Sequence, residues 1–269
     1  MIPRISPLLI LLLLLLSTPV CGRDFEPYTV NGGLVSAVAA KDFVVIASDT
    51  RFVGESGYDI VSRDYVTSRL WMAQHDTDLL LGTTTTLPFA PTIIGSAGCA
   101  ADCEALKRTI QAEFRTAHYF GTTSSNSVDP TLLSQVLYSR RTFPFYSFCV
   151  LAGLSPEGEG QVFCYDAIGS YESVAVASAG TGRQLLQPIL DRKFRTLQTS
   201  SATSQTTTTT VPTLVDCSAQ EAVSILVDAY RSVSEREIQV GDNVVLCVVQ
   251  KKADGAVQCE VLKVPLKKH

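Results

Sequence analysis

A carboxylate and a guanidinium stand two positions apart where an apolar run ends in Ser48-Asp49-Thr50-Arg51. At a strand end such a pair reads as a salt bridge that fixes the turn. Metal chemistry has little to work with. The histidines are His75, His118 and His269, and neither CxxC nor HExxH spacing occurs, so the ligand clusters of structural or catalytic zinc are missing. Cys99 and Cys103 would share one helix face, but two thiols without a further pair or a histidine do not make a metal site. Apart from Cys21, the cysteines (Cys99, Cys103, Cys149, Cys164, Cys217, Cys247, Cys259) form an odd set scattered through apolar stretches. That scatter suits buried free thiols better than a disulfide framework. The residues call for no cofactor and no metal. With 22 Lys plus Arg against 26 Asp plus Glu, the net charge of −4 offers no broad basic surface for nucleic acid.

The elements that must position these groups come from a chain of 269 residues, 46% apolar and 18% charged, composition suited to a compact fold with a large core. Residues 1–24 read as a cleavable leader: Arg4, an unbroken apolar run from Leu8 to Leu16, then small residues to Cys21-Gly22. The pattern matches a secretory signal and is too short to span a bilayer. Residues 25–269 read as a single soluble domain. Leu34 to Ala39 and Phe43 to Ala47 form a first hairpin about Ala40-Lys41-Asp42. His75 to Pro91, rich in Thr and Pro with little periodicity, reads as a loop insertion, and Thr92 to Ser96 as a short strand. A helix is predicted from about Cys99 to His118, and a second opens with Asp129 as cap and Pro130 in the first turn. Phe148 to Gly153 and Gly160 to Tyr165 make a hairpin, and Ser173 to Ala177 a further strand. Arg183 to Phe194 is helical, and the polar tract Thr199 to Thr210 reads as a second loop insertion. Ser218-Ala219-Gln220-Glu221 fits a capping box before an apolar stripe, and Asn243 to Gln250 with Ala256 to Val264 closes the chain as a hairpin about Asp254-Gly255. Strands grouped apart from helices give an α+β layout in which helices can cover two packed sheets.

Several segments, in order from about Tyr28 to Val264, resemble the beta subunits of the 20S proteasome. They are NGGLVSAVAAKDFVVIASDTR, SAGCAADC, VLYSRRTFPFY, CYDAIGSYES, LLQPILD and VGDNVVLCVV. YSRR followed by FPFY, with DAIGSYE, is most similar to the non-catalytic sixth beta position of the eukaryotic ring. The resemblance implies the N-terminal nucleophile hydrolase fold, a four-layer αββα sandwich of two stacked antiparallel sheets between helical layers. It also implies peptide hydrolysis by an N-terminal Thr, whose hydroxyl attacks while its free amine, with a pKa near 7.7–8.0, takes the proton.

Residue by residue, that chemistry does not carry over. Counting back along the first hairpin from Asp49, the nucleophile position falls on Gly33, which has neither hydroxyl nor thiol. The Lys of active members aligns with Thr67 if a small insertion around Gly54-Glu55 is allowed; Arg69 is close by but too basic to exchange protons. The Ser of the glycine loop aligns with Thr181, the downstream Asp with Glu237 and its partner Ser with Val240, leaving only Asp49 and Arg51 in place. Gly82-Thr83 imitates a processing junction, but cleavage there would remove the first hairpin, and Thr29 and Ser36 stand at the wrong register.

The expectation is a catalytically silent wall segment of an inner ring, without cofactor or metal. Its partners would be the other alpha and beta proteasome subunits in a 28-subunit core of stacked seven-membered rings, and indirectly the regulatory particle. Such heterologous contacts need different surfaces on each side. The resemblance implies cytoplasm and nucleus, whereas the leader alone implies the secretory pathway. The alternatives are a secreted or relocated active N-terminal nucleophile hydrolase and a secreted monomeric binding protein.

Overall fold

Strands β1 (Leu34–Ala39) and β2 (Phe43–Asp49) are buried along their whole length, because both faces of the sheet they form are covered. A strand in that position carries a continuous apolar run instead of alternation, which is what LVSAVA and FVVIASD show. The computed structural model describes residues 28–65, 69–74, 84–87, 89–119, 129–201, 214–252 and 255–267. The proposed leader, residues 1–24, therefore lies outside the described residues, as do Thr67 and the Gly82-Thr83 junction.

The remaining strands in chain order are β3 (Phe52–Val53), β4 (Ile60–Ser62), β5 (Leu70–Met72), β6 (Thr84–Leu87), β7 (Ile93–Gly98), β8 (Ser147–Leu154), β9 (Gly160–Tyr165), β10 (Tyr171–Val174), β11 (Val176–Gly180), β12 (Asn243–Lys251) and β13 (Val257–Pro265). The helices are α1 (Ala100–Tyr119), α2 (Pro130–Ser139), α3 (Arg183–Ser201) and α4 (Ala219–Ser234). Six strands make one antiparallel sheet in the order β11-β1-β2-β12-β13-β6, and five make a second in the order β10-β9-β8-β7-β5. β3 and β4 form a separate small ribbon.

Three apolar layers hold the stack together. Between the sheets lie Val35, Ala37, Val44, Ile46, Val245 and Cys247 of the first, facing Ile93, Ala97, Val150, Ala152 and Val162 of the second. Beyond the first sheet, Leu34, Val38, Val45 and Leu246 pack under Leu186, Leu190 and Phe194 of α3 and Leu226 and Tyr230 of α4. Beyond the second, Trp71, Ile94, Cys149 and Leu151 pack under Leu106 and Ile110 of α1 and Leu133 and Leu137 of α2. The molecule is thus a four-layer αββα sandwich, as the resemblance implies. All seven described cysteines carry free thiols, five of them buried. No helix of the described residues is long and apolar enough to cross a membrane.

Local caps fix where the helices start. Asp129 accepts the Thr131 N–H at 2.9 Å before Pro130 opens α2, and Ser218 Oγ accepts the Glu221 N–H at 3.2 Å before α4. Three expectations are corrected. Thr84–Leu87, read as part of a loop insertion, is an edge strand paired with β13 in the register Thr85 to Cys259. Thr is β-branched and fits an extended, half-solvated edge even without an apolar face. Ser173–Ala177, read as one strand, is divided at Ala175 between β10 and β11, which belong to different sheets. The tract Thr199 to Thr210 begins as the last turn of α3, and its remainder from residue 202 lies outside the described residues.

Candidate functional site

Four elements converge where β1 begins. Gly33 leads into β1, Asp49 ends β2, Arg69 immediately precedes β5, and Gly180-Thr181 ends β11. The hairpin register sets Val35 opposite Ser48, so the next residues outward are Leu34 and Asp49, and Asp49 Oδ1 accepts the Leu34 N–H at 2.9 Å.

Gly33 is buried, with φ +102°, in the region that only glycine adopts freely. A β-carbon there would overlap the Arg69 guanidinium. Arg69 is 3% exposed; its Nη1 donates to the Gly32 carbonyl at 3.0 Å, and its Nη2 donates to the Arg51 carbonyl at 2.6 Å and the Asn31 carbonyl at 3.4 Å. Its Nε lies 4.0 Å from Asp49 Oδ1 and has no hydrogen-bond partner among the described residues. The remaining space beside it is a cavity of about 10 Å³ bordered by Asn31, Gly32, Ser96 and Gly98. That is room for about one water molecule.

Asp49 is wholly buried, and its Oδ2 accepts the Arg51 N–H at 3.3 Å and the Gly241 N–H at 3.1 Å. Burial pushes its carboxyl pKa up, against the opposing pull of the Arg69 charge and of three backbone N–H groups. The expected Asp49–Arg51 salt bridge does not form. Arg51 turns the other way: its Nε donates to Asp242 Oδ2 at 2.8 Å, its Nη2 to Asp242 Oδ1 at 3.2 Å and its Nη1 to the Ile238 carbonyl at 2.8 Å. Asp49 finds its cation in Arg69, supplied by the second sheet.

Thr181 spends both of its donors on one acceptor. Its N–H and its Oγ1 reach the Gly33 carbonyl at 3.0 and 3.2 Å. Glu237 is half-buried and accepts the Gln239 N–H at 3.2 Å within its own turn, while Val240 is wholly buried in the apolar layer under α3 and α4. The structure therefore brings together Gly33, Asp49 and Thr181, reaches Arg51 through its backbone, and leaves Glu237 and Val240 as flanking residues. Thr67 lies outside the described residues; the side chain that meets Gly33 is that of Arg69. Sequence reasoning placed Arg69 nearby without giving it a role. A basic residue directly before an apolar strand start was the available signal. Asp242, the partner of Arg51, was missed, and its φ of +66° is rare for a residue with a side chain.

The chain before Gly33 is built into the fold. The Tyr28 hydroxyl donates to the Pro144 carbonyl at 2.8 Å, and its ring stacks on Phe143 at 5.4 Å between centroids. Asn31 donates its N–H to the Gly98 carbonyl at 3.0 Å and accepts the Ala100 N–H on Oδ1 at 2.8 Å, capping α1. Chemically, the site holds a backbone amide, a permanently charged guanidinium, a hydroxyl committed to a carbonyl, and the Asp49 carboxylate, whose oxygens accept three backbone N–H groups.

Comparison with known proteins agrees with this architecture. A family model described as "Proteasome subunit" matches residues 91–249. The chain is 32% identical over 233 residues to proteasome subunit beta type-1-B of Carassius auratus, covering 86% of this chain and 85% of that protein. It is 34% identical over 233 residues to proteasome subunit beta type-1 of Arabidopsis thaliana, covering 86% and 92%. The protein of that name from Drosophila melanogaster is 34% identical over 231 residues, covering 85% and 86%. With the αββα stack, these matches show that the chain belongs to the proteasome subunit family, on its beta type-1 side.

Proposed function

We infer that this beta subunit is a non-catalytic, structural member of the 20S core, completing an inner ring whose neighbours carry the proteolytic Thr. The observation that carries the reading is Gly33: residue 33 itself carries no hydroxyl or thiol, and Arg69 fills the space where its side chain would stand. Threonine-type hydrolysis needs the nucleophile and the accepting amine on one terminal residue, and a glycine supplies only the amine. The segment Tyr28–Gly32 supports it further, because its anchors to Pro144, Gly98 and Val53 would be lost on cleavage at Gly33. Processing then falls upstream, near Arg23 to Phe25.

The subunit's contribution is geometric. It closes a seven-membered ring, meets the other alpha and beta subunits through different surfaces, and encloses a chamber in which neighbours degrade proteins in the ATP- and ubiquitin-dependent route. It works in cytoplasm and nucleus, and touches the regulatory particle only through the alpha ring. Native mass spectrometry of the endogenous protein tests this. Co-migration with the other alpha and beta subunits in a 28-subunit particle is expected, with an N-terminus upstream of Tyr28 and no labelling by an electrophilic inhibitor of N-terminal Thr. A lone chain of the mature mass would replace this reading with export, and a labelled N-terminus would replace it with an active hydrolase.

A further inference from the structure

Arg69 makes two kinds of contact at the same place. Its guanidinium occupies the volume a β-carbon on residue 33 would need, and its two Nη groups hold three carbonyls: Asn31 and Gly32, on the chain entering the site, and Arg51, on the chain leaving β2. Hydrogen bonds from a buried charge are among the stronger ones in a fold, and Arg69 is 3% exposed. Gly32 and Gly33, at φ +71° and +102°, let the backbone fold around the guanidinium in a way residues with side chains would resist.

We propose that Arg69 is an internal plug and tether. It fills the vacated nucleophile position, so that residue 33 must remain glycine, and it pins Asn31–Gly32 into the fold, so that the chain before Gly33 stays closed to hydrolysis. The proposal deepens the non-catalytic reading and rests on it: the position that lacks a nucleophile is the one the fixed arginine fills. A single Gly33→Thr substitution could not reinstate the position while Arg69 stands in it.

Four variants of the full chain test the two halves. For the plug, thermal unfolding is followed for Gly33→Ala, Arg69→Ala and the double variant. Gly33→Ala is expected to lower the melting temperature by about 5 °C or more in the native background and by about half that or less on Arg69→Ala, the residue being backbone strain. Equal shifts in both backgrounds overturn the plug. Should Gly33→Ala fail to fold, recovery of folded protein on adding Arg69→Ala supports it, and failure to recover overturns it. For the tether, Arg69→Met keeps bulk while removing every donor. Limited proteolysis read by mass spectrometry should show cleavage between Tyr28 and Gly33 about tenfold faster or more than in the parent chain. An unchanged rate overturns the tether. Peptide hydrolysis by the parent chain is read separately: activity there would sink the non-catalytic reading, whereas the coupling and cleavage results decide the plug and tether on their own.

Discussion

The Tyr230 hydroxyl lies 3.1 Å from Ser36 Oγ, and neither side chain touches solvent. The same hydroxyl lies 3.0 Å from the Ala47 carbonyl and 3.3 Å from that of Leu34, so one atom of α4 stitches the helix to both strands of the hairpin that carries Gly33 and Asp49. Helix and site are fixed relative to each other by a polar contact inside an otherwise apolar layer. A buried hydroxyl costs stability unless it is satisfied, and this one is.

Tyr230→Phe should therefore cost about 1–3 kcal/mol in urea unfolding, because Ser36 and the carbonyls lose their partner while packing is kept. The variant also tests a pH effect. Burial pushes the Tyr230 pKa well above its ordinary value near 10, against the pull of the Ser36 hydrogen bond, with a lesser push from the Asp49 charge and a lesser pull from Arg69. A pKa raised in the folded state gives stability that is complete below the unfolded pKa and is lost as pH rises past it. Unfolding titrations above about pH 10 should show a shallower alkaline loss in Tyr230→Phe than in the parent, with Tyr165, shifted the same way by burial, accounting for part of what is left.

Ser48 makes the opposite case. It is fully buried, on the inter-sheet side of β2 opposite Val35, and its hydroxyl has no hydrogen-bond partner among the described residues. Ser48→Ala removes an unsatisfied polar atom without opening much space, so it should stabilise the chain by up to about 1–2 kcal/mol. A measurable loss in chemical unfolding would mean that the hydroxyl is satisfied in solution.

The features legible in the sequence were those written locally. Asp129-Pro130 and Ser218 announce two helix starts because a cap acts within three residues, and the first hairpin follows from two apolar runs about a polar turn. β6 was not legible, since a run of threonines has no apolar face and becomes a strand only when β13 offers its edge. The division of Ser173–Ala177 between two sheets is decided by which strands stand on either side, a tertiary matter. At the site, Gly33 could be found by counting along a hairpin. The partner of Arg51 could not, because Asp242 lies 191 residues away in sequence while Asp49 stands two positions away. Nor does any spacing rule say that Arg69, on the other sheet, reaches Gly33.

Gly180 faces the site from β11. Its φ is +107°, and a β-carbon there would run into the Gly33 carbonyl and lie 2.9 Å from the Ala97 Cβ. Gly180→Ala combines backbone strain with overpacking against main chain, which cannot step aside, so a loss of about 2–4 kcal/mol is expected. The loss should be accompanied by faster amide exchange at Thr181, whose N–H is held by that carbonyl. Amide exchange at Thr181 as slow as in the parent would argue that the Gly33 carbonyl holds its place despite the added methyl.

Asp242 anchors Arg51 from the position just before β12, the strand next to β2 in the first sheet, at 2.8 Å, and accepts a further bond from the exposed Arg63 at 2.7 Å. Burial would raise its pKa, but the hydrogen bonds and charges of Arg51 and Arg63 outweigh that and hold it below the ordinary value of 3.8. A depressed folded pKa gives stability that is present above the unfolded pKa and lost as pH falls through the folded one. Asp242→Asn keeps a residue that tolerates the left-handed backbone at φ +66° and removes only the charge. It should cost about 1–3 kcal/mol at neutral pH, nearly all through Arg51, since exposed pairs such as Arg63–Asp242 contribute little. The gap between parent and variant should hold at pH values above the ordinary 3.8 and close only as pH falls below that, through the depressed folded pKa, where Asp242 becomes protonated in the folded chain as well as the unfolded one. A gap that persists unchanged at the acid end would show that the ion pair with Arg51 is not what the carboxylate contributes.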